Sequence, residues 1–261
     1  MTPPVAPGAD RRCSSFLLVP LPGDDGGVDL WDPLADLLLG ACCPGCGRPG
    51  TGVCTRCAAL VVPRPRVIVD GPPPLVACLP YRDPVPGLVT AHKDRGAGWL
   101  SELLGQWLAV GLGAALQAWR GPAVVVPVPS AAAAVRRRGA DHGLDLARSA
   151  CAHLGVDDRV VPLLRRVRRV RDQSDLNHGE RARNQGGSMR SRPGRGAVVV
   201  VDDVVTSGAS LAEARRALTA AGHEVVCQVV LADAAHPGRW AAWPGRPGCR
   251  PGAHPGSGHR P

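Results

Sequence analysis

The stretch from Val198 to Leu211 constrains the fold of this chain more than any other segment, because it joins an apolar run to a polar turn. Its sequence is VVVVDDVVTSGASL. An unbroken run of valines is typical of a parallel strand that is covered on both faces. Asp202 and Asp203 follow at the carboxyl end of that strand, where open α/β sheets bind their ligands. The segment therefore predicts an α/β domain with a ligand site at this strand end.

The turn after the two aspartates offers groups that suit a phosphate. Gly208 lets the backbone approach a ligand closely, and a helix starting here presents unpaired N–H groups and the positive end of its dipole. Carboxylates beside such a cradle suit the hydroxyls of a ribose, so the motif predicts a ribose 5-phosphate site. The alternative is a strand, turn and helix in which Asp203 or Thr206 only caps the helix. The predicted ligand residues are Asp202, Asp203, Thr206, Ser207, Gly208, Ala209 and Ser210.

Apolar runs alternate with helical patterns over much of the remaining chain. This alternation predicts a parallel sheet flanked by helices. The expected strands are 75–81, 123–128, 160–164, 196–201 and 224–232. The expected helices are 85–93, 99–119, 143–154 and 209–221, with a helical turn at 180–185 and a basic turn before 143.

Composition divides the chain into four segments. Residues 1–28 and 236–261 are rich in Pro and Gly, which predicts disordered tails. Residues 29–74 hold a short helix at 29–39, a cysteine module and a Pro/Arg linker, and residues 75–235 form the α/β domain. There is no apolar run long enough to span a bilayer and no secretory signal, so we expect a cytoplasmic protein.

Two Cys-x-x-Cys pairs lie close together between residues 43 and 57. A Gly-rich turn separates them, which is the spacing of a zinc ribbon, in which each pair points two thiolates at one ion. Four sulfur ligands leave no open position, so the predicted zinc is structural. The alternatives are chance spacing and a redox role. The predicted ligands are Cys43, Cys46, Cys54 and Cys57.

The chain carries a net charge of +9, and nearly all its positive charge is arginine, since Lys93 is the only lysine. Arginine holds phosphates through two parallel hydrogen bonds, although a GC-rich coding sequence would give the same bias. The arginines form two clusters. The first is Arg136–Arg138, and the second comprises Arg165, Arg166, Arg168, Arg169 and Arg171. Both clusters predict contact with pyrophosphate or a nucleic-acid backbone, and the alternative is a solvated loop.

These motifs together resemble a known family. Val198–Leu211 resembles the phosphoribosyl pyrophosphate (PRPP) motif of type I phosphoribosyltransferases, and the order of motifs over about residues 35–235 is similar to the ComF family of competence-associated proteins. Val126–Ser130 with Arg137–Gly139 resembles the loop that lies against pyrophosphate in such proteins. Leu164–Asn184 resembles the arginine-rich hood segment.

The resemblance implies a type I phosphoribosyltransferase-like domain that binds PRPP with Mg²⁺. It also implies a role in DNA uptake, with single-stranded DNA and uptake proteins as partners. Ser130 and Arg138 would contact pyrophosphate, and the second arginine cluster would contact DNA. Lys93 is interpreted either as a group that reaches an anion in the cleft or as a surface lysine whose chain lies along apolar surface. The alternative is a phosphoribosyltransferase of nucleotide metabolism that transfers ribose 5-phosphate from PRPP to an unknown acceptor.

The chain departs from the family at one point in the loop that would lie against pyrophosphate. An aromatic residue, Asn and Gln commonly follow the Arg-Gly there, whereas this chain has Ala140, Asp141 and His142. His142 is interpreted either as an acid/base group near the site or as a surface histidine.

Overall fold

A computed structural model of the protein describes residues 42–94, 97–167 and 187–240. The helices are α1 Thr55–Leu60, α2 Val85–Asp94, α3 Leu100–Trp119, α4 Ala132–Arg138, α5 His142–His153 and α6 Ala209–Ala220. The strands are β1 Arg66–Val69, β2 Leu75–Pro80, β3 Ala123–Pro127, β4 Leu164–Arg166, β5 Met189–Ser191, β6 Gly196–Val205 and β7 His223–Asp233.

Five strands form one sheet in the order β1-β2-β7-β6-β3. The pairs β2–β7, β7–β6 and β6–β3 are parallel, and the edge strand β1 is antiparallel to β2. The remaining two strands, β4 and β5, form a separate antiparallel hairpin. An α/β fold with a mostly parallel sheet flanked by helices is therefore confirmed, while the closer likeness to type I phosphoribosyltransferases stays a prediction.

The valines of β6 are buried on both sides of the sheet. Val199 and Val201 pack into one apolar cluster, which also contains residues of α2, α3 and α5. Val198 and Val200 pack into a second cluster, which contains residues of α6 and of the β4–β5 hairpin. Successive side chains of a strand point to opposite faces, so a strand covered on both faces needs an apolar residue at every position. Strand β6 lies between β7 and the edge strand β3, so its carboxyl end is flanked by the carboxyl ends of both.

Helix α3 lies close against the sheet because it carries glycine on the buried face. A Cβ at Gly111 would lie 2.5 Å from the sulfur of Cys78 on β2, so no larger residue fits. The helix ends where Arg120 adopts a left-handed conformation with φ of 56°. Gly121 and Pro122 follow, and proline cannot continue a helix.

The predicted helices and strands are largely present. Helix α1 and strand β5 are additional elements, and four predicted segments differ. Strand β6 runs to Val205, so Asp202 and Asp203 lie within the strand and not after it. The expected basic turn is helix α4, and the linker predicted before residue 75 contains strand β1. The strand expected at 160–164 is displaced to Leu164–Arg166, and Val160 forms only an isolated bridge to Val125.

The folded part of the chain extends past the predicted boundary at residue 235. Pro237–Trp240 forms a 3-10 turn, and Trp240 is buried in the second apolar cluster. The Trp240 indole donates to Asp233 Oδ2 at 2.9 Å. Residues 237–240 are therefore folded, although they lie within the tail predicted from residue 236. The segments predicted at 1–28, 29–39, 180–185 and 241–261 lie outside the described residues.

None of the helices in the described ranges is long and apolar enough to cross a membrane.

Candidate functional site

The two aspartates at the end of β6 are each fixed by the backbone that follows them. Asp202 Oδ1 accepts from the Asp203 N–H at 2.9 Å, and Asp203 Oδ1 accepts from the Val204 N–H at 2.6 Å. One oxygen of each carboxylate is thereby held in place. The other oxygen of each can meet a partner from another element or from a ligand.

A small hollow lies where β6 turns into α6. It is lined by Asp202 and by Val204–Leu211, so every predicted ligand residue except Asp203 lines it. Gly208 has φ of 71°, a left-handed conformation that glycine adopts without strain. The Ser207 hydroxyl accepts from the Ala209 N–H at 3.4 Å, which shapes the turn before the helix. The amino end of α6 thus opens onto the hollow, as expected for a phosphate cradle.

Asp203 is paired with Lys93 from a distant part of the chain. Lys93 lies near the carboxyl end of α2, and its Nζ is 2.7 Å from Asp203 Oδ2. Burial alone would lower the pKa of Lys93, but the carboxylates of Asp203 and Asp202 outweigh it, so that its pKa is raised. The amine is therefore a firmly charged cation beside the predicted diol site.

Asp202 is in a less favourable environment than its neighbour. Burial raises its pKa, the negative charge of Asp203 raises it further, and Lys93 and Arg166 oppose both effects, leaving the pKa at about 7. A carboxyl group with that pKa exchanges its proton near neutral pH. It can accept a hydroxyl hydrogen when charged or donate one when protonated.

Arg166 belongs to the same site, although the sequence grouped it with the residues predicted to contact nucleic acid. It lies on β4 and its Nε donates to the carbonyl of Pro129 at 2.9 Å. Burial lowers the pKa of Arg166, and the charges of Asp202 and Asp141 oppose that effect. Its strand neighbour Arg165 is exposed, because successive residues of a strand point to opposite faces. The other three arginines of that cluster, Arg168, Arg169 and Arg171, lie outside the described residues.

The predicted pyrophosphate loop is held by Asp141. The Ser130 hydroxyl donates to Asp141 Oδ1 at 2.7 Å, and the same oxygen caps α5 by accepting from the Gly143 N–H at 3.2 Å. The backbone of Arg138 forms the last residue of α4. Sequence reasoning missed the role of Asp141, although an aspartate just before a helix is the usual signal of an N-cap.

Two histidines, His92 and His142, are buried against each other. His142 is only 4% exposed, so the interpretation as a surface histidine is wrong. Its ring centroid lies 4.8 Å from that of His92, whose Nε2 is 2.9 Å from the Ser101 hydroxyl. Neither ring nitrogen of His142 has a hydrogen-bond partner in the described structure. The pair packs where the end of α2 meets the starts of α3 and α5.

The four predicted cysteines converge on one point. The Sγ atoms of Cys43, Cys46, Cys54 and Cys57 all lie within 4.8 Å of one another. Burial would raise the pKa of Cys43, but N–H donors from the surrounding turn outweigh it and lower the pKa to about 6. Burial and the neighbouring thiols raise the pKa of Cys57. Four soft sulfur donors at this spacing fit one tetrahedral zinc ion, and the adjacent Cys42 lies outside the set.

The described residues offer no comparable place for magnesium. Within them, the cysteine cluster is the one set of three or more His, Cys, Asp or Glu side chains whose ligand atoms converge. No set of this kind built from oxygen ligands is found among residues 42–94, 97–167 and 187–240. Magnesium remains a prediction that depends on the ligand.

The fold and the site define an α/β protein with a hollow at a strand end and an adjoining four-cysteine cluster. Models of known protein families and the curated proteins give no match to this chain.

Proposed function

We propose that this protein binds PRPP or a closely related ribose 5-phosphate ester at the carboxyl end of β6. The observation that carries the proposal is that Asp202 and the turn from Thr206 to Ser210 line one hollow. A carboxylate next to a helix start matches the two ends of ribose 5-phosphate, a diol and a phosphate.

Lys93 and Arg166 would bind a second anionic group of the ligand, its pyrophosphate. The 5-phosphate would lie on the N–H groups at the start of α6, and the ribose hydroxyls would face Asp202. Lys93 and Arg166 approach the carboxylates from two other elements, which supports pyrophosphate binding on that side. Ser130 is held by Asp141 in the loop that would face the same group.

We propose further that the pocket serves a ComF-like role in DNA uptake, with single-stranded DNA as a partner and other uptake proteins as further partners. Arg165 is exposed, whereas its neighbour Arg166 is half-buried. This difference supports a DNA-binding surface that is separate from the pocket. The cysteine cluster would hold structural zinc in this protein, and its ligands leave no position for a substrate.

A transferase activity is the second candidate, and the same carboxylates favour it. In transfer of ribose 5-phosphate from PRPP, positive charge develops at the anomeric carbon as pyrophosphate leaves. Asp202 and Asp203 would stabilise that charge. Release of pyrophosphate that depends on an added nucleobase would distinguish this activity from binding alone.

The test is calorimetric titration of the full-length, zinc-loaded protein with PRPP, with and without Mg²⁺. We expect saturable binding, and weaker binding of ribose 5-phosphate and of pyrophosphate offered separately. Asp202→Ala should lower the affinity for PRPP at least about tenfold, which is about 1.4 kcal/mol.

The matched control for that variant is Glu224→Ala. Glu224 is an exposed carboxylate at the amino end of β7, so it lies at the other end of the parallel strands from Asp202. It should leave PRPP affinity unchanged. Absence of PRPP binding by the wild-type protein, or equal affinity of the Asp202→Ala variant, would refute the pocket.

A further inference from the structure

The cysteine cluster is packed directly onto the helix that carries Lys93. Pro44 lies between two of the cysteines, and a Cβ built at Gly87 of α2 would lie 2.1 Å from its carbonyl oxygen. From the other side, a Cβ at Gly45 would lie 2.8 Å from Cβ of Pro84, just before α2 begins. Only glycine fits at both positions, so the two backbones are in van der Waals contact.

Helix α2 is short and is fixed along its length. Val85, Leu88 and Val89 are buried in the first apolar cluster. His92 is buried near its carboxyl end, within hydrogen-bond distance of Ser101. Gly87 and Lys93 are separated by about 9 Å along the helix axis, at 1.5 Å per residue. A packed helix of this length moves as a unit, so a shift at Gly87 displaces Lys93.

We propose that the cysteine module is a positioning element of the ribose-phosphate pocket, in which the contact of Pro44 with Gly87 sets α2 so that Lys93 reaches Asp203. The inference takes from the proposed function only that Lys93 is an anion contact of that pocket. Zinc binding by the four thiolates would fix the turn that carries Pro44, and through it the end of α2. The module then acts on the pocket without touching the ligand.

The chain offers a direct readout of this arrangement, because Lys93 is its only lysine. A reagent that acylates neutral amines therefore labels one side chain, which peptide mass mapping separates from the amino terminus. The ion pair with Asp203 holds the amine protonated and partly shielded. Release of Lys93 should speed its labelling about tenfold for each pKa unit that is lost.

The experiment measures the labelling rate of Lys93 in the full-length protein for wild type, Gly87→Ala and Gly98→Ala. A Cβ at Gly98 would meet nothing within 4 Å, so this variant is the matched control. We expect labelling to speed up at least about threefold in Gly87→Ala and to stay unchanged in Gly98→Ala. Circular dichroism and thermal melting check that both variants are folded.

A second measurement keeps the inference testable if Gly87→Ala does not fold. Wild-type protein is treated with a zinc chelator, and Lys93 labelling is followed together with circular dichroism. Labelling that speeds up while the helical signal is retained would support the coupling. Labelling that is unchanged after zinc loss, or in a folded Gly87→Ala variant, would overturn it. Neither readout uses PRPP, so failure of the pocket proposal would be seen separately.

Discussion

Arg166 Nε on β4 donates to the carbonyl of Pro129, in the turn after β3, at 2.9 Å. This hydrogen bond joins the β4–β5 hairpin to the loop that precedes Ser130. The negative charges of Asp202 and Asp141 also act on the Arg166 guanidinium and oppose the lowering of its pKa by burial. A cation held in this way is placed for an anionic ligand before the ligand arrives.

Arg166→Ala should weaken PRPP binding about tenfold or more, since hydrogen bonds to charged groups contribute about 1.5–3 kcal/mol. Arg165→Ala, one residue away and exposed, is the matched control and should change PRPP affinity less than about twofold. Calorimetric titration of the two variants with PRPP measures both affinities. Equal losses in both would place the pocket elsewhere.

For binding of single-stranded DNA, Arg165→Ala should cause a larger loss of affinity than Arg166→Ala. Two residues of the predicted nucleic-acid cluster are described, and Arg165 is the exposed one. Its loss should weaken DNA binding and make that binding less sensitive to salt. Fluorescence anisotropy with a labelled oligonucleotide at several salt concentrations measures both effects. If neither arginine variant changes DNA binding, the cluster is only a charged surface.

Asp202→Asn should stabilise the protein at alkaline pH. The pKa of Asp202 is raised to about 7, so the folded state holds a proton that the unfolded state releases near pH 4. Stability from this group is therefore present at low pH and falls as pH rises from about 4 to 7. Asparagine removes that loss, and the gain over wild type should be larger at pH 8 than at pH 5.

Thermal melts of both proteins at the two pH values measure this difference. Glu224→Gln, which changes an exposed carboxylate, is melted alongside as the control. A gain for Asp202→Asn that is equal at pH 5 and pH 8 would contradict the raised pKa.

The sequence predicted the sheet well because its signal is local. Each strand buried on both faces requires an unbroken apolar run, and β6 and β7 carry such runs. The strand β1 was missed since only Ile68 of its residues is buried and prolines flank it. Helix α4 was missed since alanines followed by arginines lack an apolar stripe.

The site was predictable only where its residues are contiguous. The stretch from Asp202 to Ser210 forms one hollow because strand, turn and helix follow each other directly. The pairing of Lys93 with Asp203 depends on how α2 packs, and the charge interaction of Arg166 with Asp202 depends on how the β4–β5 hairpin packs. No local pattern records such contacts. The two arginines at 165 and 166 look alike in sequence and differ only in which way the strand turns them.

Glu213→Gln should loosen the β4–β5 hairpin and so weaken the pocket indirectly. Buried Glu213 accepts from the Met189 N–H at 2.9 Å, and Arg216 bridges it with two donors while also donating to the Met189 carbonyl. Loss of this charged anchor should cost about 1–3 kcal/mol of stability. Arg215→Gln, on an exposed neighbour of Arg216, is the control and should be nearly neutral.

The charge of Glu213 also predicts that the protein loses stability at acid pH. Burial would raise the pKa of Glu213, but the hydrogen bonds from Arg216 and Met189 outweigh it and lower the pKa. Its stabilisation is therefore complete above the unfolded value near 4.3 and is lost as pH falls through the folded value. Wild type should lose stability below about pH 4 more steeply than Glu213→Gln, as followed by urea unfolding. Parallel pH profiles would show that the anchor is not charged.

The cysteine cluster should hold about one zinc ion per chain, because four thiolates satisfy tetrahedral zinc and leave no open position. Cys46→Ser and Cys54→Ser should each lose most of the metal, since the sulfurs of these residues lie 3.6 Å apart within the cluster. Cys42→Ser is the matched control, because Cys42 is exposed and pairs through its backbone with Pro49. Elemental analysis of the purified variants measures the ratio. Metal retained by Cys54→Ser, or lost by Cys42→Ser, would mean that the ligand set is not the one that the four sulfur positions define.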